Sequence, residues 1–321
     1  MKNKNANEII KRHAIFYHSD ADRIMGIPKP FAEHYTRMFL EDVGHGVMPI
    51  GGHTKRKDFA VSISPADPTI EQMIVSAISR REYNCETLTD SLCEFFRLTA
   101  SGLCAFDRST HEIAYIADAE TQKITGFRLF FINEQQIVKR FRQLYQFVPP
   151  EIVKEENVSR MIPLPKEDLI IFTPPAEFQK ILRNMREDLS TLSDFGSMFE
   201  MVRGDKKYQY DFKTHQNSKE LALLKVCRPI GWIARGTFNE KILSFYLVYL
   251  QLLFEKFKIR LREEMLVALN DGLRRAGQKI GFSVQLRVTG LPTMIDVEDA
   301  MEKLNSGRKP FVELMDPFYN Y

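Results

Sequence analysis

The sequence has few cysteines, no long apolar run and no strong excess of charge of one sign. Its four cysteines, Cys85, Cys93, Cys104 and Cys227, have no C-x-x-C spacing in a chain of 321 residues. A disulfide-stapled scaffold is excluded on that pattern, and reduced thiols are expected, with Cys93 and Cys104 in apolar surroundings. Lys and Arg number 45 against 42 Asp and Glu, a net charge of +3. A protein that grips nucleic acid over its whole surface would be far more basic. The longest uncharged apolar run, Ile242 to Phe254, has thirteen residues, short of the ~20 a membrane-spanning helix needs. The basic N-terminal segment is followed by no apolar stretch, so no secretory leader is expected. Sixteen glycines and fifteen prolines are ordinary, and there is no internal repeat or low-complexity tract.

What is present suits a folded chain. Apolar residues make up 44% and aromatics 11%, enough to bury a sizeable core. At ~150 residues per domain, about two domains are expected. Phe59 to Ser64 alternates with period two and reads as a strand. A helix is expected over Thr69 to Arg81, entered through Asp67-Pro68, and another over Thr87 to Ala100. Gly102 to Asp107, His111 to Ala117, Ile124 to Asn133 and Ile170 to Phe172 read as strands. The expectation is an α+β domain in which a small antiparallel sheet lies beside helices.

After Pro174-Pro175 the pattern changes. Phe178, Ile181, Leu182, Met185, Leu189, Leu192, Phe195, Phe199 and Val202 follow steps of three and four, the stripe of one long amphipathic helix. A second long helix is expected from Thr237 or Asn239, either of which suits an N-cap, to Ala276, with Gly277 as its stop. Nearly forty residues would span about 60 Å, so a kink at Gly272 or a break near Glu263 is an expected way to shorten it. Phe245, Leu252 and Phe257 are its candidate packing residues. Gly281 to Thr289 reads as a strand and Met294 to Leu304 as a helix, ahead of an unassigned aromatic tail.

Motif searches yield no convincing active site. Gly46 to Gly51 has the G-x-x-x-x-G skeleton, but Gly52-His53 stands where a phosphate loop needs Lys-Ser/Thr, so a surface loop is expected. His111-Glu112 begins like a zinc helix, lacks the second imidazole and reads as strand. No G-x-S-x-G elbow occurs. Asp67, Glu167 and Asp168 could serve a metal-dependent nuclease, though caps and turns account for them better. No enzyme activity, cofactor or metal is expected. Between the long helices Arg203, Lys206, Lys207, Lys213 and Lys219 face only two opposing acids, Asp205 and Asp211, and Tyr208, Tyr210 and Phe212 interleave at period two. The segment fits either a β-ribbon meeting a protein or nucleic-acid backbone, or a solvated hairpin.

In their order, four segments resemble the portal proteins of tailed bacteriophages. They are Phe95 to Phe106, Lys123 to Phe127, Leu164 to Phe172 with its P-x-x-D-hydrophobic pattern, and Phe282 to Gly307; the likeness spans roughly 90–310. The resemblance implies a ring, typically of twelve subunits, at one capsid vertex, through which double-stranded DNA is packaged and ejected. It implies a wing at 1–173, stem helices within 174–202 and 238–276, a clip at 203–237, and a strand, helix and short tail at 277–321. The implied partners are further copies of the chain, capsid protein, the packaging terminase, a tail adaptor and DNA, with no membrane. The implied location is the virion, assembled in the host cytoplasm. The basic residues then fall in the clip as docking or DNA-backbone contacts. Two features depart from the family: the usual His before the stem is absent, and little follows Gly307, so a large crown is not expected. The alternative function is a small nucleic-acid-binding module using the basic 203–219 segment.

Overall fold

The computed structural model describes residues 8–15, 34–49, 56–79, 85–202, 212–236, 242–307 and 309–319. In chain order the elements are β1 (Glu8–Lys11), α1 (His34–Val47), β2 (Ala60–Ser64), α2 (Pro68–Ile78), α3 (Leu88–Phe106), β3 (Ser109–Asp118) and β4 (Ile124–Ile132). There follow β5 (Ile137–Arg140), β6 (Gln143–Phe147), α4 (Pro150–Glu156), β7 (Met161–Leu164), β8 (Leu169–Phe172), α5 (Ala176–Val202) and α6 (Phe212–Cys227). The chain closes with α7 (Ser244–Ile280), β9 (Gln285–Thr289), α8 (Met294–Ser306) and α9 (Phe311–Tyr319). The fold is α+β, as expected.

The central strand is β3. Its one edge pairs antiparallel with β4, and its other edge is shared end to end by β1, opposite Tyr115–Asp118, and β8, opposite Ser109–Glu112. Successive side chains of a strand point to opposite faces, and both faces of β3 are covered. On one face, His111 packs against Phe95 of α3 and Phe172 of β8, with ring centroids 5.0 and 5.4 Å apart. On the same face Ile170 meets α7 and Lys279 sits 4.3 Å above the Tyr115 ring. On the other face, Ile132 and Leu169 join Ala14, Ile137, Leu144 and Leu164 in a separate apolar cluster. That cluster seats the three-stranded sheet β5–β6–β7. A further two-stranded sheet pairs β2 with β9.

Local signals explain several boundaries. Asp67 accepts hydrogen bonds from Thr69 N and Ile70 N at 2.9 and 3.2 Å, so α2 starts where Asp-Pro predicts. Thr293 and Asp296 form a reciprocal capping box at the start of α8. The expected strand at Gly102 to Asp107 is instead the end of α3: Leu92, Phe96, Ala100 and Leu103 continue one buried helical stripe, and Asp107, at φ 62°, ends it. Gly46 is in α1, not a loop. A Cβ there would lie 2.5 Å from Lys258 Cδ, so the glycine lets α1 approach α7.

Helix α7 runs unbroken for 37 residues, about 55 Å. The expected kink at Gly272 does not occur, because that glycine serves packing: a Cβ would lie 2.1 Å from Ile170 Cδ1. Nor does the helix stop at Gly277; it ends at Gly281 in the left-handed region, φ 102°. Its first half is covered on one side by α8 and α9 through Val248, Leu252 and Ile259, and on another by the main core through Leu250, Phe257 and Leu261. Its second half lies on the central sheet. There Asn270 exchanges hydrogen bonds of 3.0 and 2.7 Å with Leu286 of β9. At these residues the helix is covered by its own chain.

Candidate assembly surface

Helix α5 is held along its first four turns. Phe178 meets Phe257 edge-on with centroids 5.0 Å apart, and Glu177 pairs with Arg260 at 3.4 Å. Leu182, Met185, Leu189 and Leu192 are buried, and Ile181 is partly so. Arg186 fixes the helix's position. It donates to both carboxylate oxygens of Asp107 at 2.8 and 2.6 Å, and to the Cys104 carbonyl at 3.0 Å. The fork therefore closes over the C-terminal end of α3, whose free carbonyls favour a cation.

Helix α6 lies beside α5 and is anchored by buried Leu223 and Cys227. Burial pushes the Cys227 thiol well above its ordinary range, which keeps it protonated and inert. After α6 the chain turns at Arg228–Ile230 and docks on α1. Trp232 Nε1 donates to Asp42 at 2.9 Å, its ring meets Phe39 at 5.2 Å, and Arg235 bridges Asp42 and Glu41. Arg37, against the opposing effect of burial and with further help from Arg235, holds the Glu41 carboxyl below the usual range. Between α5 and α6 runs an open groove of about 360 Å³, with Ile181, Met185, Leu192, Ala222, Val226 and Pro229 as its apolar lining and Asn184, Asp188 and Lys225 as its polar one. Among the described residues, none that lines it carries a hydroxyl, thiol or imidazole.

The remaining site residues separate. Phe257 is in the main core and Leu252 faces α8 and α9, whereas Phe245 is exposed beside Phe311, with centroids 6.4 Å apart. Arg203, Lys206 and Lys207 lie outside the described residues. Lys213 is exposed on α6, and Lys219 is half-buried with its ammonium 5.2 Å from the Tyr35 ring centroid. A β-ribbon does not extend over Phe212 to Lys219; the aromatic alternation there gives way to helix α6. Helix α5 runs beside α6 and meets α7 near its own start. The Arg186–Asp107 fork and the Trp232–Asp42 bond had no signal in the sequence, since their partners are 79 and 190 residues apart.

The three candidate metal acids are not assembled into one site. Asp67 caps α2. Asp168 accepts from Lys279 at 2.6 Å and lies 3.4 Å from His13 Nε2, while the Glu167 carbonyl accepts from Arg275 at 2.8 Å. Among the described residues, no group of three or more His, Cys, Asp or Glu side chains could hold a metal ion. Among the same residues, no helix is long and apolar enough to cross a membrane.

No family model matches the chain, and no curated protein does. Solved structures do. A chain in the virion of a native gene transfer agent (GTA) particle is similar in fold, with a TM-score of 0.52 at 8% identity, covering 89% of each chain. A chain in the neck of an empty GTA particle computed with C6 symmetry gives a TM-score of 0.52 at 7% identity, covering 89% of this chain and 88% of that one.

Proposed function

We propose that the chain is the subunit of a portal-like ring in a phage-derived particle. The ring would stand at a capsid vertex as a non-enzymatic conduit for double-stranded DNA during packaging and release. The observation that carries this reading is the near full-length likeness to chains of an assembled particle and its neck. The order of segments that resembles portal proteins agrees with it. A ring of twelve copies is compatible with the sixfold symmetry of the GTA neck structure.

The sequence reading put the stem helices within 174–202 and 238–276 and the clip at 203–237. Because α6 packs beside α5, we instead take α5 and α6 as the stem's helix pair and the basic 203–211 segment between them as the clip, where a tail adaptor or the packaging terminase docks. The body built on the central sheet is the wing and faces capsid protein. A net charge of +3 suits a channel through which DNA slides, because each added phosphate contact strengthens a salt-dependent grip. The protein is then a virion component assembled in the host cytoplasm. Mass photometry and negative-stain images of the purified chain should give uniform closed rings with a central opening. A monomer persisting at micromolar concentration, across salt conditions, would overturn the proposal.

A further inference from the structure

We propose that the β5–β6 hairpin is the finger by which one copy docks on the next, and that its seat is the acidic α8–α9 face of that neighbour. The inference rests on the ring reading above and names the contact that closes the ring. The finger is Val138-Lys139-Arg140-Phe141-Arg142. All five residues are exposed, with no acid among them, and Phe141 at the tip is 99% exposed. Strand register pairs Arg140 with Gln143, so Phe141 and Arg142 form a two-residue turn with Phe141 at φ 54°. Such a position favours glycine, and a bulky side chain there costs conformational energy. An exposed aromatic in a strained position adds nothing to the hairpin's own stability, so its use is to be sought in a partner. The finger's base is firm, because Ile137 and Leu144 are buried in the cluster under the central sheet.

The complementary surface is at the other end of the molecule. The outer face of α8 exposes Asp296, Glu298, Asp299 and Glu302 around Ile295, which is 77% exposed, and beside it α9 exposes Val312 at 74%. A basic finger with an aromatic tip thus has an acidic face with apolar knobs to match it in sign and character. The two surfaces cannot readily meet within one copy. Helices α8 and α9 rest on α7 at Val248, Leu252 and Ile259. The sheet carrying the finger is tied to the far end of α7, where Arg275 holds the carbonyls of Lys166 and Glu167 and Lys279 holds Asp168. Ile259 and Arg275 are about 25 Å apart along that straight helix. Two different, complementary patches held apart by a rigid rod make a head-to-tail contact, the kind that closes into rings.

The test compares ring formation by mass photometry for the wild type, Phe141→Gly, a finger reversal (Lys139→Glu/Arg142→Glu) and a seat reversal (Glu298→Lys/Asp299→Lys). Phe141→Gly should keep or slightly raise the melting temperature while requiring at least about tenfold more protein for assembly, the scale expected for loss of an interface anchor. Each reversal alone should abolish rings. Mixing the two reversed proteins in equal amounts should restore them, because each finger then faces a seat of opposite charge. Rings that form at wild-type concentration in Phe141→Gly and in both reversals would overturn the finger while leaving the portal reading intact. A finger reversal that leaves the rings unchanged but weakens salt-dependent DNA binding would also overturn it, marking the hairpin as a nucleic-acid contact. A wild type that never assembles would overturn both.

Discussion

The two longest helices look alike in the sequence and are used in opposite ways. Helix α7 is apolar on several sides and is enclosed by its own chain: by α8 and α9, by α1 and the main core, and by the central sheet. Helix α5 has one apolar stripe, is anchored from Glu177 to Leu192, and is flanked by an open groove. Length alone therefore does not identify the helix that needs a neighbour. The number of apolar sides is the better guide, because a helix that is hydrophobic all round must be surrounded, whereas a single stripe can be satisfied by one partner.

The largest effect is expected inside α7. Glu255, Lys258 and Arg262 form a buried polar row facing α1. Lys258 Nζ donates to Glu255 at 2.7 Å, and Arg262 donates to the carbonyls of Val47 and Pro292. Lys258→Met leaves the buried Glu255 carboxylate without that partner and should cost about 3–5 kcal/mol. The double variant Glu255→Leu/Lys258→Met should recover most of the loss, because an apolar pair of similar volume avoids the desolvation of both charges. Urea unfolding measures both. If the two variants were equally destabilised, packing against Gly46 and not charge pairing would be the row's contribution.

A smaller and more local effect is expected at α5. Arg186→Ala removes the fork on Asp107 and should cost about 2 kcal/mol, the scale of charge-assisted hydrogen bonds. Hydrogen exchange should then rise along α5 while α7 keeps its protection. Equal loosening of both helices would show that α5 belongs to the same cooperative unit as the body, and would erase the contrast drawn between them.

What was legible in the sequence follows the same physical line. Elements with a strong period or a stereochemical marker were readable: β2 and β9 by alternation, α2 by Asp67-Pro68, and α5 by its single stripe. The weakly patterned strands β1 and β5–β7 were not, since β5 buries only Ile137 and exposes the next three residues. Helix α6 was hidden because Tyr208, Tyr210 and Phe212 mimic a strand's period just before it. The buried residues of α5 were legible as a stripe, but their partner was not. Nothing local distinguishes α6 from α7 as the helix that lies beside α5. The Phe141 finger was also invisible, because an exposed aromatic is recognised only once the turn geometry is known.

The smallest effect is expected where the chain after β1 meets the central strand, away from both helices. Glu112 accepts backbone hydrogen bonds from His13 and Ala14, the second at 3.0 Å, and so fixes the chain just after β1. Burial raises its pKa above the ordinary value, and the two backbone donors offset this only in part. A raised carboxyl pKa in the folded state means that the native protein binds this proton more tightly than the unfolded chain does. The stabilisation is fully present below the unfolded value of about 4.3 and is lost as pH rises through the folded value. Glu112→Gln cannot titrate and still offers an acceptor oxygen. Wild type should therefore gain stability relative to Glu112→Gln as pH falls from neutral towards 4, a difference read from paired melting curves and expected to be on the order of 1 kcal/mol. A constant difference across that range would mean that the backbone donors fully compensate the burial, and that β1 is held by a permanently charged carboxylate.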